Sequence, residues 1–240
     1  MTLQHNDLIK KEEKRIKKER TKYGIVTVLN GEGLKDIFYD LGVDVIIDGG
    51  QTNNPSIESF IEAFDDCNAD NIFVFPNNSN IIMAANKAKE LYNKSNIIVI
   101  NSKNIGEAYS SISMLDYSSD DANDIKSNFE MNMQNVTTAM ITKSIRNAFI
   151  NNVNIKENDY IGFIDKTMLV SNKNKLDSYF ELLNKLNIKD RNYLINIYGK
   201  ELTKKERELI EEYINNNYPL LEYYSIDGEQ EIYDVILIME

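Results

Sequence analysis

Histidine and cysteine are almost missing. The 240-residue chain has one of each, His5 and Cys67, and no tryptophan. A single cysteine excludes a disulfide within the chain, and one residue of each kind excludes a structural zinc site of the Cys/His type. A Ser-His-Asp or Cys-His catalytic unit would have to use His5, near a terminus of the sequence, which argues against both. Cys67 follows a helical pattern and has no basic neighbour to lower its pKa, so it reads as a small buried apolar residue. No apolar run approaches the length needed to span a bilayer, and the first residues lack the apolar core of a signal peptide. The expected location is the cytoplasm. Positive charge is also short: 27 Lys and Arg stand against 38 Asp and Glu, a net charge of −11. Duplex DNA and anionic membranes need clustered cations and are poor partners for such a chain. A basic protein partner suits it better.

What is present is ordinary for a globular protein, with 42% hydrophobic and 27% charged residues. The length fits one large domain or two smaller lobes. Residues 1–22 are dense in charge of both signs and read as a solvated linker helix, with Glu13 and Lys17 one turn apart. Residues 23–116 alternate short β-branched runs with amphipathic helical patterns. Strands are expected at 23–29, 43–47, 71–75 and 97–100, and helices at 34–41, 56–64, 81–92 and 105–114. This is the rhythm of a parallel, doubly wound α/β lobe. The polar stretch 116–124 marks a boundary. Residues 117–240 mix hairpin and helix signals and predict an α+β lobe on a mixed or antiparallel sheet. Its clearest helix is 203–217. There Thr203 and Glu206 form a capping box, and Leu209, Ile210, Tyr213 and Ile214 supply the apolar stripe. Glu222–Ile226 and Tyr233–Ile238 read as strands joined across residues 227–230.

Three loops end strands of the first lobe with small polar residues: 30–33, 49–56 and 76–80. A parallel sheet puts such loops on one edge, where open α/β sheets place their sites. The candidate binding residues are Gly31, Gly33, Gly49, Gly50, Gln51, Thr52, Asn53, Asn54, Ser56, Asn77, Asn78 and Asn80. Their amides and backbone N–H groups suit a carboxylate, a phosphate or a partner's backbone. Gly31-x-Gly33 is only part of a dinucleotide fingerprint, because Asp36 occupies the third glycine position. Asp48 reads as a turn residue before two glycines. No catalytic residue and no metal ligand is assigned.

Several strings come in order: Tyr23-Gly24-Ile25-Val26-Thr27-Val28, Gly31-Glu32-Gly33-Leu34, Gly49-Gly50-Gln51-Thr52-Asn53-Asn54-Pro55-Ser56 and Pro76-Asn77-Asn78-Ser79-Asn80-Ile81. Together they resemble the C-terminal domain of the catalytic subunit of bacterial fatty acid kinase, which belongs to the dihydroxyacetone-kinase-like family. The resemblance implies a two-lobed, DegV-like α/β fold. It implies a non-catalytic docking domain that binds a DegV-type fatty-acid-binding protein. The N-terminal kinase domain, absent here, would then phosphorylate the bound fatty acid to an acyl phosphate for phospholipid synthesis. ATP and magnesium would belong to that kinase domain, with no cofactor in this chain, and a middle domain would be a further partner. Two alternatives stand beside docking: a lipid or carboxylate binder using its own cleft, and a phosphatase. Near the end the family reads Gly-Gly-Gln-Pro-x-Tyr, where this chain has Gly228-Glu229-Gln230-Glu231-Ile232-Tyr233. Gly228 and Gln230 complete the candidate docking residues. Residues 52–56 are similar to the Thr-Ser-x-Pro-Ser loop that holds the lipid carboxylate in DegV-type proteins, with Asn53 in place of a serine.

Overall fold

The computed structural model describes residues 19–115 and 119–240. Most of the expected linker helix lies outside those residues, and Thr21 and Lys22 at its end already belong to the first strand. The chain then alternates: β1 (Thr21–Leu29), α1 (Glu32–Asp40), β2 (Val45–Asp48), α2 (Ile57–Cys67), β3 (Ala69–Phe75), α3 (Ser79–Leu91), β4 (Asn96–Val99) and α4 (Ile105–Ser113). The four strands form a parallel sheet in the order β2-β1-β3-β4. Side chains at helix starts satisfy free backbone N–H groups: Ser56 accepts from Ser59, Asn78 from Asn80, and Asn104 from Glu107.

The second half runs α5 (Ala122–Asn135), β5 (Thr137–Lys143), β6 (Ala148–Ile150), β7 (Val153–Ile155), β8 (Tyr160–Ile164), β9 (Thr167–Asn172), α6 (Lys175–Lys185), β10 (Tyr193–Tyr198), α7 (Lys204–Asn217), β11 (Glu222–Asp227) and β12 (Tyr233–Met239). Its main sheet has the order β11-β10-β12-β5-β8-β9, and β6 pairs only with β7. The sheet is mixed: β11 runs parallel to β10, and the other pairs are antiparallel. β11 and β12, though joined across residues 227–230, are not paired. β10 lies between them. The Thr203–Glu206 capping box of α7 is formed. Leu209 departs from expectation. It is exposed, while Ile210 and Ile214 are buried, because the buried stripe is centred one residue further along the helix.

The period of two along the central strands sorts their side chains into layers. From β3, Ile72 and Val74 join α2 and α3, while Phe73 and Phe75 face the other way. From β12, Val235, Leu237 and Met239 join α6 and α7, while Ile236 and Ile238 turn back. The returning faces meet. Phe73, Phe75, Ile195, Ile197, Ile236 and Ile238 share one buried cluster with residues of α1, α4 and α5. At its centre Phe129 of α5 meets Phe73 and Phe75 edge-on, at centroid distances of 5.3 and 5.1 Å. Cys67 is fully buried in the outer cluster of the first sheet.

Candidate functional site

The order β2-β1-β3-β4 reverses direction between β1 and β3. The α1 residues Leu34 and Phe38 pack on one face of the sheet, and α2 and α3 on the other. The loops after β1 and β3 therefore diverge and leave a crevice at the carboxyl edge. In this protein the mixed sheet closes over that crevice and makes a cleft of about 580 Å³. Its floor is apolar: Val28, Leu29, Leu34, Met140, Phe163 and Ile236. Its rim is polar: Asn30, Gln51, Asn78, Asn80, Lys103, Asn104, Asp165, Lys166 and Thr167.

The structure brings part of the expected set together. Gly49, Gly50, Gln51, Asn77, Asn78, Asn80 and Gln230 line the cleft. Asn77 lies in the left-handed region (φ 57°) and its amide is fully engaged. Nδ2 donates to Thr27 Oγ1 and to the Val28 carbonyl, both at 2.9 Å, and Oδ1 accepts from Ser102 Oγ at 2.7 Å. It ties the ends of β1 and β3 to the segment after β4. Asn78 caps α3 and donates to Gln51 Oε1 at 2.5 Å. Asn80 is exposed at the rim.

The other expected residues lie elsewhere. Thr52, Asn53, Asn54 and Ser56 are exposed and do not line the cleft. The Asn53 carbonyl closes the turn by accepting from Gly50 N at 3.0 Å, and Ser56 caps α2. Gly31, Gly33 and Gly228 form a seam where α1 meets the end of β11. Leu34 N donates to the Gly228 carbonyl at 3.1 Å, and a Cβ on Gly33 would fall 1.8 Å from the Asp227 carbonyl oxygen. The seam leaves no space for a phosphate. Asp48 is exposed, with Lys35 Nζ 3.4 Å away.

Sequence reasoning missed Lys103 and Asn104, although 101–104 ends a parallel strand like the other three loops. It also missed the whole second wall, of which Phe163, Asp165 and Lys166 are the prominent members. Two helix N-termini, those of α3 and α4, open at the rim. Lys103 and Lys166 form no ion pair among the described residues. Behind Lys103, burial pushes the Glu107 carboxyl above its ordinary pKa, against the pull of the Lys103 backbone N–H that donates to it at 2.6 Å. Burial also raises the Tyr233 phenol. Gln230 is 2% exposed. Its Nε2 donates to the Ile197 carbonyl at 3.1 Å, and its Oε1 is buried without a hydrogen-bond partner among the described residues. Such an orphan acceptor is costly unless something donates to it.

Among the described residues no three His, Cys, Asp or Glu side chains gather in metal-binding geometry, and no helix is long and apolar enough to cross a membrane. The arrangement can hold a ligand or present loops. A cleft rimmed by amides and two lysines is suited to recognition.

A family model for the FakA-like C-terminal domain of fatty acid kinase matches residues 24–240. Protein YloV of Bacillus subtilis (strain 168) is 34% identical over 245 residues, covering 100% of this chain and 44% of that protein. The chain thus spans less than half the length of this curated relative. Solved structures share the fold at low identity. A DegV family protein from Thermus thermophilus, described as binding fatty acid, superposes with a TM-score of 0.62 at 11% identity, over 92% of this chain and 100% of that one. The fatty acid kinase B3 protein of Streptococcus pneumoniae, loaded with linoleic acid, gives 0.60 at 10% identity, over 92% and 99%.

Proposed function

Because the chain belongs to the family of FakA-like C-terminal domains of fatty acid kinase, we propose that it is the recruiting part of such a kinase, which docks a DegV-type fatty-acid-binding protein beside a kinase domain outside this sequence. Its own role is a fatty-acid-related one. The observation that carries the docking reading is the pairing of family and fold: a segment from a kinase family folds over nearly its whole length like proteins that bind fatty acids. The two glycine loops do not offer a magnesium–nucleotide site. Gly31 and Gly33 are packed against backbone rather than open to phosphate, and Asp48 is the only acid at its loop and faces Lys35. ATP and magnesium, and the phosphoryl transfer they serve, are assigned to the remainder of the longer protein.

Calorimetric titration with the cognate DegV-type protein tests docking. Saturable binding at low salt is the expected result, and its salt dependence reports the charges that face each other. Absence of binding at low salt would sink the reading.

A second reading, that the cleft takes an aliphatic carboxylate itself, is favoured by one feature. An apolar floor lies beside a rim that carries Lys103 and Lys166, which form no ion pair among the described residues. Native mass spectrometry of the purified chain is expected to find a long-chain acid bound, and Phe163→Arg to abolish it by filling the cleft with charge. A chain that takes up no added fatty acid would limit the cleft to a structural role.

A further inference from the structure

The hairpin β6–β7 belongs to neither large sheet, and it and the turn before it carry the densest exposed apolar group among the described residues. Ile145 is 87% exposed, Phe149 71% and Ile150 39%, all within six residues of chain. The other exposed large apolar residues, such as Met83 and Leu220, are scattered singly, as is usual on protein surfaces. The local charge also runs against the net charge of the chain. No acidic residue occurs between Glu130 and Glu157, while Lys143, Arg146 and Lys156 do. All three cations are exposed, and none forms an ion pair among the described residues. Among the described residues an acidic chain thus carries a basic, apolar ribbon.

The ribbon is held rigid. Asn151 and Asn152 both lie in the left-handed region (φ 51° and 63°), as a two-residue hairpin turn requires. Asn151 Oδ1 accepts from Met168 N at 2.9 Å, Asn147 Oδ1 from Glu157 N at 2.8 Å, and the Asp159 carbonyl from Ser144 N at 2.7 Å. A surface ordered in advance loses little entropy on binding. Ile150, on the opposite face of β6 from Phe149, lines a small hollow with Gln51, Phe163 and Lys166, so the hairpin borders the mouth of the main cleft.

We propose that this hairpin, with the turn before it, is a docking surface for a protein partner that presents an apolar depression edged by acidic side chains. The proposal rests on the docking reading above and makes the DegV-type protein that partner. The charge of the whole chain points to a basic partner, and the ribbon reverses that locally. A bilayer fits less well. The tip of the hairpin is Asn151-Asn152, tied back to β9, so no apolar side chain leads into lipid. A second copy fits less well too, because a two-fold interface would set Lys143, Arg146 and Lys156 against themselves.

The test is titration of the full chain with the cognate DegV-type protein. Ile145→Ser with Phe149→Ser, and separately Lys143→Glu with Arg146→Glu, are each expected to weaken binding by about tenfold or more. The thermal midpoint should hold, since all four side chains are exposed. Leu220→Ser, at another exposed apolar site, should leave affinity unchanged. If the wild-type chain binds and the hairpin variants bind equally well, this surface is wrong and the docking reading survives. If the wild-type chain does not bind, both fall. If the same changes abolish binding to phosphatidylglycerol vesicles, or abolish self-association seen by sedimentation, the ribbon serves a membrane or a second copy and the proposal is overturned.

Discussion

Lys175→Met is expected to lower the unfolding free energy by about 3–5 kcal/mol, because it strands a buried carboxylate. Lys175 and Asp234 side chains are each 8% exposed, with Nζ 2.8 Å from Oδ1. The same ammonium donates to the Glu201 carbonyl at 2.8 Å, lies 3.7 Å from Glu206 and sits 5.5 Å over the Tyr160 ring. It therefore joins the start of α6 to β12 and to the start of α7. Burial pushes the Asp234 carboxyl above its ordinary range, and Lys175 opposes that push. Removing the lysine removes the opposing pull. The folded-state pKa then rises further above the unfolded value, so the folded variant gains stability as pH falls and is penalised as pH rises. The loss should be largest near neutral pH and shrink on acidification. Denaturant unfolding at neutral and mildly acidic pH measures both. Lys175→Met with Asp234→Leu should recover more than half of the loss, since a matched apolar pair replaces the ion pair with little penalty. A double variant no more stable than the single one would mean that the lysine acts through packing and not through charge.

Gly33→Ala is expected to cost about 3 kcal/mol or more, at the upper end for overpacking by one methyl group. The new Cβ would lie 1.8 Å from the Asp227 carbonyl oxygen and 2.9 Å from its carbon. Both are backbone atoms and cannot swing aside as a flexible side chain does. Gly31 beside it has φ +100° and the Gly228 carbonyl 2.4 Å from an added Cβ, so α1 cannot back away without disturbing the residue before it. The seam also sets the cleft, because Leu34 and Gln230 on its two sides both line the wall. Unfolding midpoints and amide exchange at Leu34, whose N–H crosses the seam, should fall together. A Gly33→Ala chain of wild-type stability with a protected Leu34 amide would show that the close approach is relieved at no cost.

The glycines of this seam show how far sequence alone reaches. Gly31 and Gly33 are visible as residues chosen for something other than a side chain, and a strand before and a helix after them invite a phosphate. The occupant is the carbonyl of Asp227, almost two hundred residues along the chain, which no local pattern announces. Strands and helices were readable because burial repeats with period two or near 3.6, and because Thr203 with Glu206 marks a helix start chemically. The first wall of the cleft was readable for the same reason: parallel strands put their loops on one edge. The second wall was not. Phe163, Asp165 and Lys166 reach the cleft only through the placement of one sheet over the other, which depends on contacts such as Phe129 against Phe73. The hairpin β6–β7 escaped because its strands have three residues each, too few for a period to show.

The core between the two sheets has a consequence for how the chain comes apart. Phe73 and Phe75 from one half and Ile236 and Ile238 from the other are buried in the same cluster. Opening either half would put the apolar face of the other into water, so neither can melt while its neighbour stays native. The two sheets therefore form one cooperative unit, with no low-energy half-open state to expose a sticky surface.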